Sequence, residues 1–174
     1  DHVSGVDWFM GTSGAGNPQG YWGVDGPWVG CYTIISRAST VLENVEKIPD
    51  GNIDPEMKAR FKGEAHFLRG WAYFQLVQLY GGVPLRLKSL SEDPQSNVPR
   101  GTLKETYDVV INELKAAEEL LFPVGHPKVG EPGRATRGAA KGLLAKVYAT
   151  IGSGAVSSGT ITVRGGQVNG YYTY

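Results

Sequence analysis

Tyr21 and Trp22 stand side by side in a glycine-rich stretch, with Trp8 and Asn17 upstream. Flat aromatic faces stack on the apolar faces of sugar rings, while Asn and Asp side chains hydrogen-bond hydroxyls, so this combination is one a saccharide site would use. The same aromatics would equally serve to cover the end of a helical core, and composition alone does not separate the two readings.

Other chemistry finds little support. The three histidines, His2, His66 and His126, are scattered, and none is spaced for metal ligation with another His, Cys or carboxylate. There is no Gly-x-Ser-x-Gly elbow and no HExxH, and adjacent acids such as Glu118 and Glu119 are placed where a solvated helix face is expected. The stretch "GTSGAG" at 11–16 has its glycines in the wrong order for a dinucleotide loop, and 125–130 lacks the Lys-Ser/Thr of a P-loop. No catalytic residue, metal or cofactor is therefore expected. Seventeen basic residues balance seventeen acidic ones with no basic run among aromatics, which argues against a nucleic-acid partner.

The elements that must position any site are helical. Residues 1–26 follow neither strand alternation nor a helical stripe and are expected to be loop. Trp28, Tyr32, Ile35, Ala38, Leu42 and Val45 recur at threes and fours, predicting a helix over 28–48. Asp54-Pro55 offers an N-cap and first-turn proline for a second helix reaching Tyr80, where Gly81 and Gly82 are placed for a left-handed C-cap. This helix carries two apolar stripes, one through Ala65, Leu68, Ala72, Leu76 and Leu79 and one through Phe67, Trp71 and Phe74, so neighbours are expected on most sides. Its charged and amide residues interrupt it too often for a membrane span.

Thr102 and Glu105 form a capping box ahead of a third amphipathic helix that ends before Pro123. A proline- and glycine-rich connection over 122–135 is longer than usual between packed helices, and such loops often have a function. Thr136 then caps a fourth helix, in which Gly138, Ala139, Gly142 and Ala145 are small enough for close helix approach. The tail 152–174 is rich in Gly and Ser, with a possible short strand around Thr160–Arg164. The expectation is an all-α fold of stacked helical hairpins over 27–151, of bundle or tetratricopeptide type, although no repeat near 34 residues is visible.

Two segments carry a resemblance. "KGEAHFLRGWAYFQLVQLYGGVPL" followed by "GRATRGAAKGLLAKVYAT", with Trp28, Tyr32 and Ile35 upstream, resembles the SusD/RagB family of outer-membrane nutrient-binding lipoproteins. The resemblance implies a tetratricopeptide-like α-solenoid with an irregular ligand face, lipid-anchored at the outer surface of Bacteroidota. It also implies an oligosaccharide or, less often, a peptide ligand, and a SusC-like TonB-dependent transporter as partner. Ligand-facing segments before the Trp-x-x-x-Tyr helix would make Asn17, Tyr21, Trp22 and Asp25, with Trp8, the binding residues. The chain lacks a secretion signal and a lipid-bearing cysteine, Cys31 being read as a helix residue, so any membrane tie would run through an anchor outside it. Two rival readings remain at this point: a helical-repeat module for a protein or peptide, and a hydrolase whose carboxylates meet only on folding.

Overall fold

A computed structural model describes residues 25–94, 97–154, 160–163 and 166–169. Four helices follow in order: α1 (Asp25–Glu46), α2 (Pro55–Tyr80), α3 (Leu103–Leu120) and α4 (Arg137–Gly154). Each packs on the next, α1 on α2, α2 on α3 and α3 on α4, giving an all-α stack of helical hairpins. Beyond it, β1 (Thr160–Val163) pairs antiparallel with β2 (Gly166–Asn169), Thr160 opposite Asn169 and Val163 opposite Gly166.

Local capping sets most of the boundaries. The Asp54 carboxylate accepts the Glu56 N–H at 2.9 Å, and Pro55 follows in the first turn, where no donor is needed. Thr102 and Glu105 complete the capping box of α3, each side chain accepting from the other's backbone N–H. Thr136 accepts from the Ala139 N–H at the head of α4. The described part of α1 begins at Asp25, inside the stretch expected to be loop, and Pro27 is accommodated within it.

Two glycines end α2. Gly81 takes φ 74° and ψ −138°, outside the left-handed helical well expected of it and open only to glycine. A Cβ on Gly82 would lie 2.1 Å from the Gly101 carbonyl oxygen, so the chain leaving α2 lies directly against the entry to α3.

The core joins Ile35 of α1, Tyr73, Phe74, Leu76 and Val77 of α2, Val110 and Leu114 of α3, and Val147 of α4, all essentially without solvent contact. The aromatic helix is thus core along one side. Its other side departs from expectation: Leu68, Trp71 and Leu79 stay between 37% and 47% exposed, so the neighbours predicted by its two stripes cover only part of it.

Close helix approach also falls elsewhere than predicted. Gly138, Ala139, Gly142 and Ala145 are exposed, and among the described residues a Cβ on Gly142 would meet nothing within 4 Å. The tight crossing is between α2 and α3, where a Cβ on Gly63 would come within 3.0 Å of Leu120 and Leu121, and one on Gly70 within 3.1 Å of Glu113 and Leu114. Seven residues, two turns, separate these glycines, which places them on one face.

Candidate functional site

The chain emerging from α2 is fixed almost residue by residue. Arg100 donates from Nε to the Gly82 carbonyl and from Nη2 to that of Tyr80, both at 2.6 Å. The Val83 N–H goes to Thr106 Oγ1, and the Val83 carbonyl accepts from Gly101. Tyr32 Oη donates to the Pro84 carbonyl at 2.7 Å. The Tyr73 hydroxyl accepts the Arg86 N–H at 2.7 Å and donates to the Arg86 carbonyl at 3.0 Å. Arg69 holds the Leu87 carbonyl, and the Glu43 carboxylate holds the Ser89 N–H. Residues 82–89 thus form a hydrogen-bonded ledge beside α1, bridged at Pro84 to Arg100.

Pro84, Arg86 and Lys88 of the ledge line a cavity of about 350 Å³. Trp28, Tyr32, Ile35 and Ser36, from successive turns of α1, line it too, together with Leu90 and Val98. This volume is at the lower end of the roughly 300–1,000 Å³ of small-ligand clefts.

The aromatic wall is held in place by its own contacts. The Trp28 and Tyr32 rings are 4.9 Å apart and tilted by 49°, and Tyr80 meets Trp28 edge-on at 5.1 Å. Burial pushes the Tyr32 phenol far above its ordinary range. Burial likewise raises Tyr73, to about 12. Both hydroxyls therefore stay protonated and keep donating to the ledge.

Beneath the ledge lies a buried ion pair. Arg69 of α2 grips Glu113 of α3 with Nε at 2.8 Å and Nη2 at 2.7 Å, and sends Nη1 to Ser39 Oγ of α1 as well as to the Leu87 carbonyl. His66 Nδ1 lies 2.9 Å from the same carboxylate. Burial alone would raise Glu113, but the hydrogen bonds from His66 and Arg69 and the Arg69 charge outweigh it and hold the carboxyl below its usual range. Every member of the cluster is partnered within the protein, which makes it a brace joining three helices and the ledge.

The 122–135 connection is pinned along α2. Arg60 Nη1 takes the carbonyls of Lys128 and Val129 at 2.8 and 3.2 Å, Lys128 pairs with Asp54 and Glu56, and Arg134 with Glu64. His126 stacks on Phe122 at 4.1 Å. A loop that turns carbonyl oxygens toward a guanidinium is the reverse of a phosphate cradle, which presents N–H groups.

Of the sequence candidates, Trp8, Asn17, Tyr21 and Trp22 lie outside the described residues. Asp25 begins α1, one turn ahead of Trp28. Pro84, Arg86 and Lys88 are not among the sequence candidates; the signal for them is the alternation in "PLRLK", which follows the glycine pair and Val83. Cys31 is a buried residue of α1, its thiol raised by burial. Glu118 is 3.5 Å from Lys141, and Glu119 is exposed. Among the described residues no cluster of His, Cys, Asp or Glu is arranged to hold a metal ion, and no helix is long and apolar enough to cross a membrane.

Comparison with known proteins matches residues 22–149 to a SusD-like family model described as starch-binding and associating with the outer membrane. A SusD-like protein of Bacteroides ovatus is 32% identical over 130 residues, covering 72% of this chain and 22% of that protein. A crystal structure of a SusD-like protein from Bacteroides fragilis is similar at 35% identity and TM-score 0.64, covering 73% of this chain and 24% of that one. A laminarin-binding SusD-like protein is similar at 29% identity and TM-score 0.65, covering 73% and 26%. The chain thus spans about a quarter of the length of these relatives.

Proposed function

This chain belongs to the SusD-like family of starch-binding proteins that associate with the outer membrane, and from that premise we propose that it is part of a surface protein that captures an oligosaccharide and passes it to a SusC-like TonB-dependent transporter. The observation that carries the reading is the cavity between α1 and the ledge, whose mostly apolar lining includes the rings of Trp28 and Tyr32 and the polar or charged Ser36, Arg86 and Lys88. Sugar rings need both: an apolar surface for their C–H faces and fixed hydrogen-bonding groups for their edges. Similarity to a laminarin-binding protein supports a glycan as ligand. The protein would act at the extracellular face of the outer membrane, held there by a lipid. Asn17, Tyr21, Trp22, Asp25 and Trp8 would add the saccharide contacts that precede α1.

Titration of the protein with laminari- and xylogluco-oligosaccharides, followed by tryptophan fluorescence, tests this. Saturable binding that is lost in Ser36→Trp, which fills the cavity, supports the assignment; binding unchanged in that variant removes the cavity from it. Trp22→Ala tests the segment before α1 in the same way. Recovery of a SusC-like transporter on pull-down from the source envelope tests the delivery step.

A second reading is a peptide-binding helical module. It is favoured by an open groove of Ile34, Val41, Phe61 and Leu68 between α1 and α2, almost wholly apolar. Saturable binding of unstructured peptides, with none of oligosaccharides, would replace the glycan reading.

A further inference from the structure

Two residues of α2, one turn apart, hold the ledge by its backbone. Arg69 takes the Leu87 carbonyl at 2.9 Å, and the Tyr73 hydroxyl takes both main-chain groups of Arg86, the N–H at 2.7 Å and the carbonyl at 3.0 Å. From α1, Tyr32 donates to the Pro84 carbonyl and Glu43 accepts the Ser89 N–H. These residues differ in what else they do. Arg69 is committed to Glu113, and Tyr32 borders the cavity itself. Tyr73 has no solvent contact and does not border the cavity, and among the described residues its hydroxyl bonds to nothing but the Arg86 backbone. A phenol whose ring is core thus spends its only polar atom on the segment that forms the cavity wall.

We propose that Tyr73 is a positioning residue for ligand binding: without touching the ligand, its hydroxyl fixes the Arg86 backbone and so sets the distance between the ledge residues and the α1 residues that line the cavity. This rests on the glycan reading above and adds to it a residue that holds the shape of the site. Two features support the assignment. Arg86 is the middle one of the three ledge residues at the cavity, Pro84, Arg86 and Lys88, so a shift of its backbone carries its neighbours along. The helices α1 and α2 pack on each other through the core, so Tyr32 and Tyr73, one phenol from each, fix the ledge relative to both at positions two residues apart. Tyr73→Phe isolates the effect. The ring keeps its place in the core, while the Arg86 N–H and carbonyl, only partly buried, turn to water and release the ledge. Arg69 offers no such separation, because its removal leaves Glu113 buried without its partner.

The test is isothermal titration of the parent protein, Tyr73→Phe, Tyr32→Phe and Thr136→Ala with laminari- and xylogluco-oligosaccharides, together with amide hydrogen exchange. In Tyr73→Phe the affinity should fall about tenfold, the size expected for two lost hydrogen bonds. Exchange protection should be lost at Arg86 and its neighbours on the ledge and kept at the α2–α3 crossing. Tyr32→Phe keeps its ring and loses one bond to the ledge, so a smaller fall, about threefold, is expected. Thr136→Ala weakens only the cap of α4 and should lower stability with the affinity unchanged, which separates positioning from a general loss of stability. An unchanged affinity in Tyr73→Phe, an equal fall in Thr136→Ala, or exchange that rises as much at the crossing as on the ledge overturns the proposal and leaves glycan binding standing. Binding of neither oligosaccharide by the parent protein overturns both.

Discussion

The α2–α3 crossing and the α1–ledge boundary are built from the same helix and differ in how their space is used. At the crossing, Gly63 and Gly70 remove side chains so that the helices close on each other, and the Arg69–Glu113 pair buried there is completed by His66, Ser39 and the Leu87 carbonyl. At the ledge the backbone is fixed just as firmly, by Tyr32, Tyr73, Arg69, Arg100 and Glu43, yet side chains leave a cavity between the anchored chain and α1. Tight packing and tight anchoring are separable. A protein can anchor a segment by its backbone and still keep volume beside it.

Substitutions can break the comparison from either side. The largest effect is expected for Glu113→Gln, which leaves the Arg69 guanidinium buried beside a neutral amide; loss of a partner from a buried pair costs about 3–5 kcal/mol. Urea denaturation should show it, and because Arg69 also holds Leu87, the ledge should loosen with the crossing. The same carboxylate sets a pH dependence. Its folded pKa lies below its unfolded value, so its contribution is complete above the ordinary carboxylate range and is lost as pH falls through the folded value. Melting temperature should therefore fall more steeply on acidification in the parent protein than in Glu113→Gln.

Gly70→Ala comes next. Its Cβ would sit 3.1 Å from Glu113 and Leu114, and overpacking of this kind costs about 1–3 kcal/mol, measurable as a shift of the denaturation midpoint at constant slope. Thr102→Ala removes half of a capping box and should cost about 1 kcal/mol, with the cavity undisturbed. Ser36→Trp sharpens the contrast. It should change stability by no more than about 0.5 kcal/mol, as substitutions outside packed and paired sites do, while abolishing ligand binding. A large destabilisation there would mean that the space beside the ledge is packed core.

What was legible in the sequence was what a few consecutive residues decide. Asp54-Pro55, Thr102 with Glu105, and Thr136 announce helix starts because a cap and its partner lie within three residues. The small-residue face was misassigned to Gly138 and Gly142 because a run of small residues looks like a contact surface, whereas Gly63 and Gly70 are hidden among aromatics and need α3 to show their purpose. The cavity was illegible for the same reason. Tyr32 reaches Pro84 across 52 positions and Arg69 reaches Glu113 across 44, and no local pattern encodes either meeting. Arg69, read as a polar interruption of an apolar run, is the centre of the brace.

The anchoring of residues 82–89 has a kinetic consequence. A binding segment that must be ordered by its ligand spends conformational entropy on every encounter and adds a rearrangement to the association step. Here two phenols, two arginines and a carboxylate already hold residues 82–89, so a ligand taken at the proposed site would meet that part of its wall in place. Association at this cavity should proceed in a single phase whose rate rises linearly with ligand concentration, limited by diffusion and orientation.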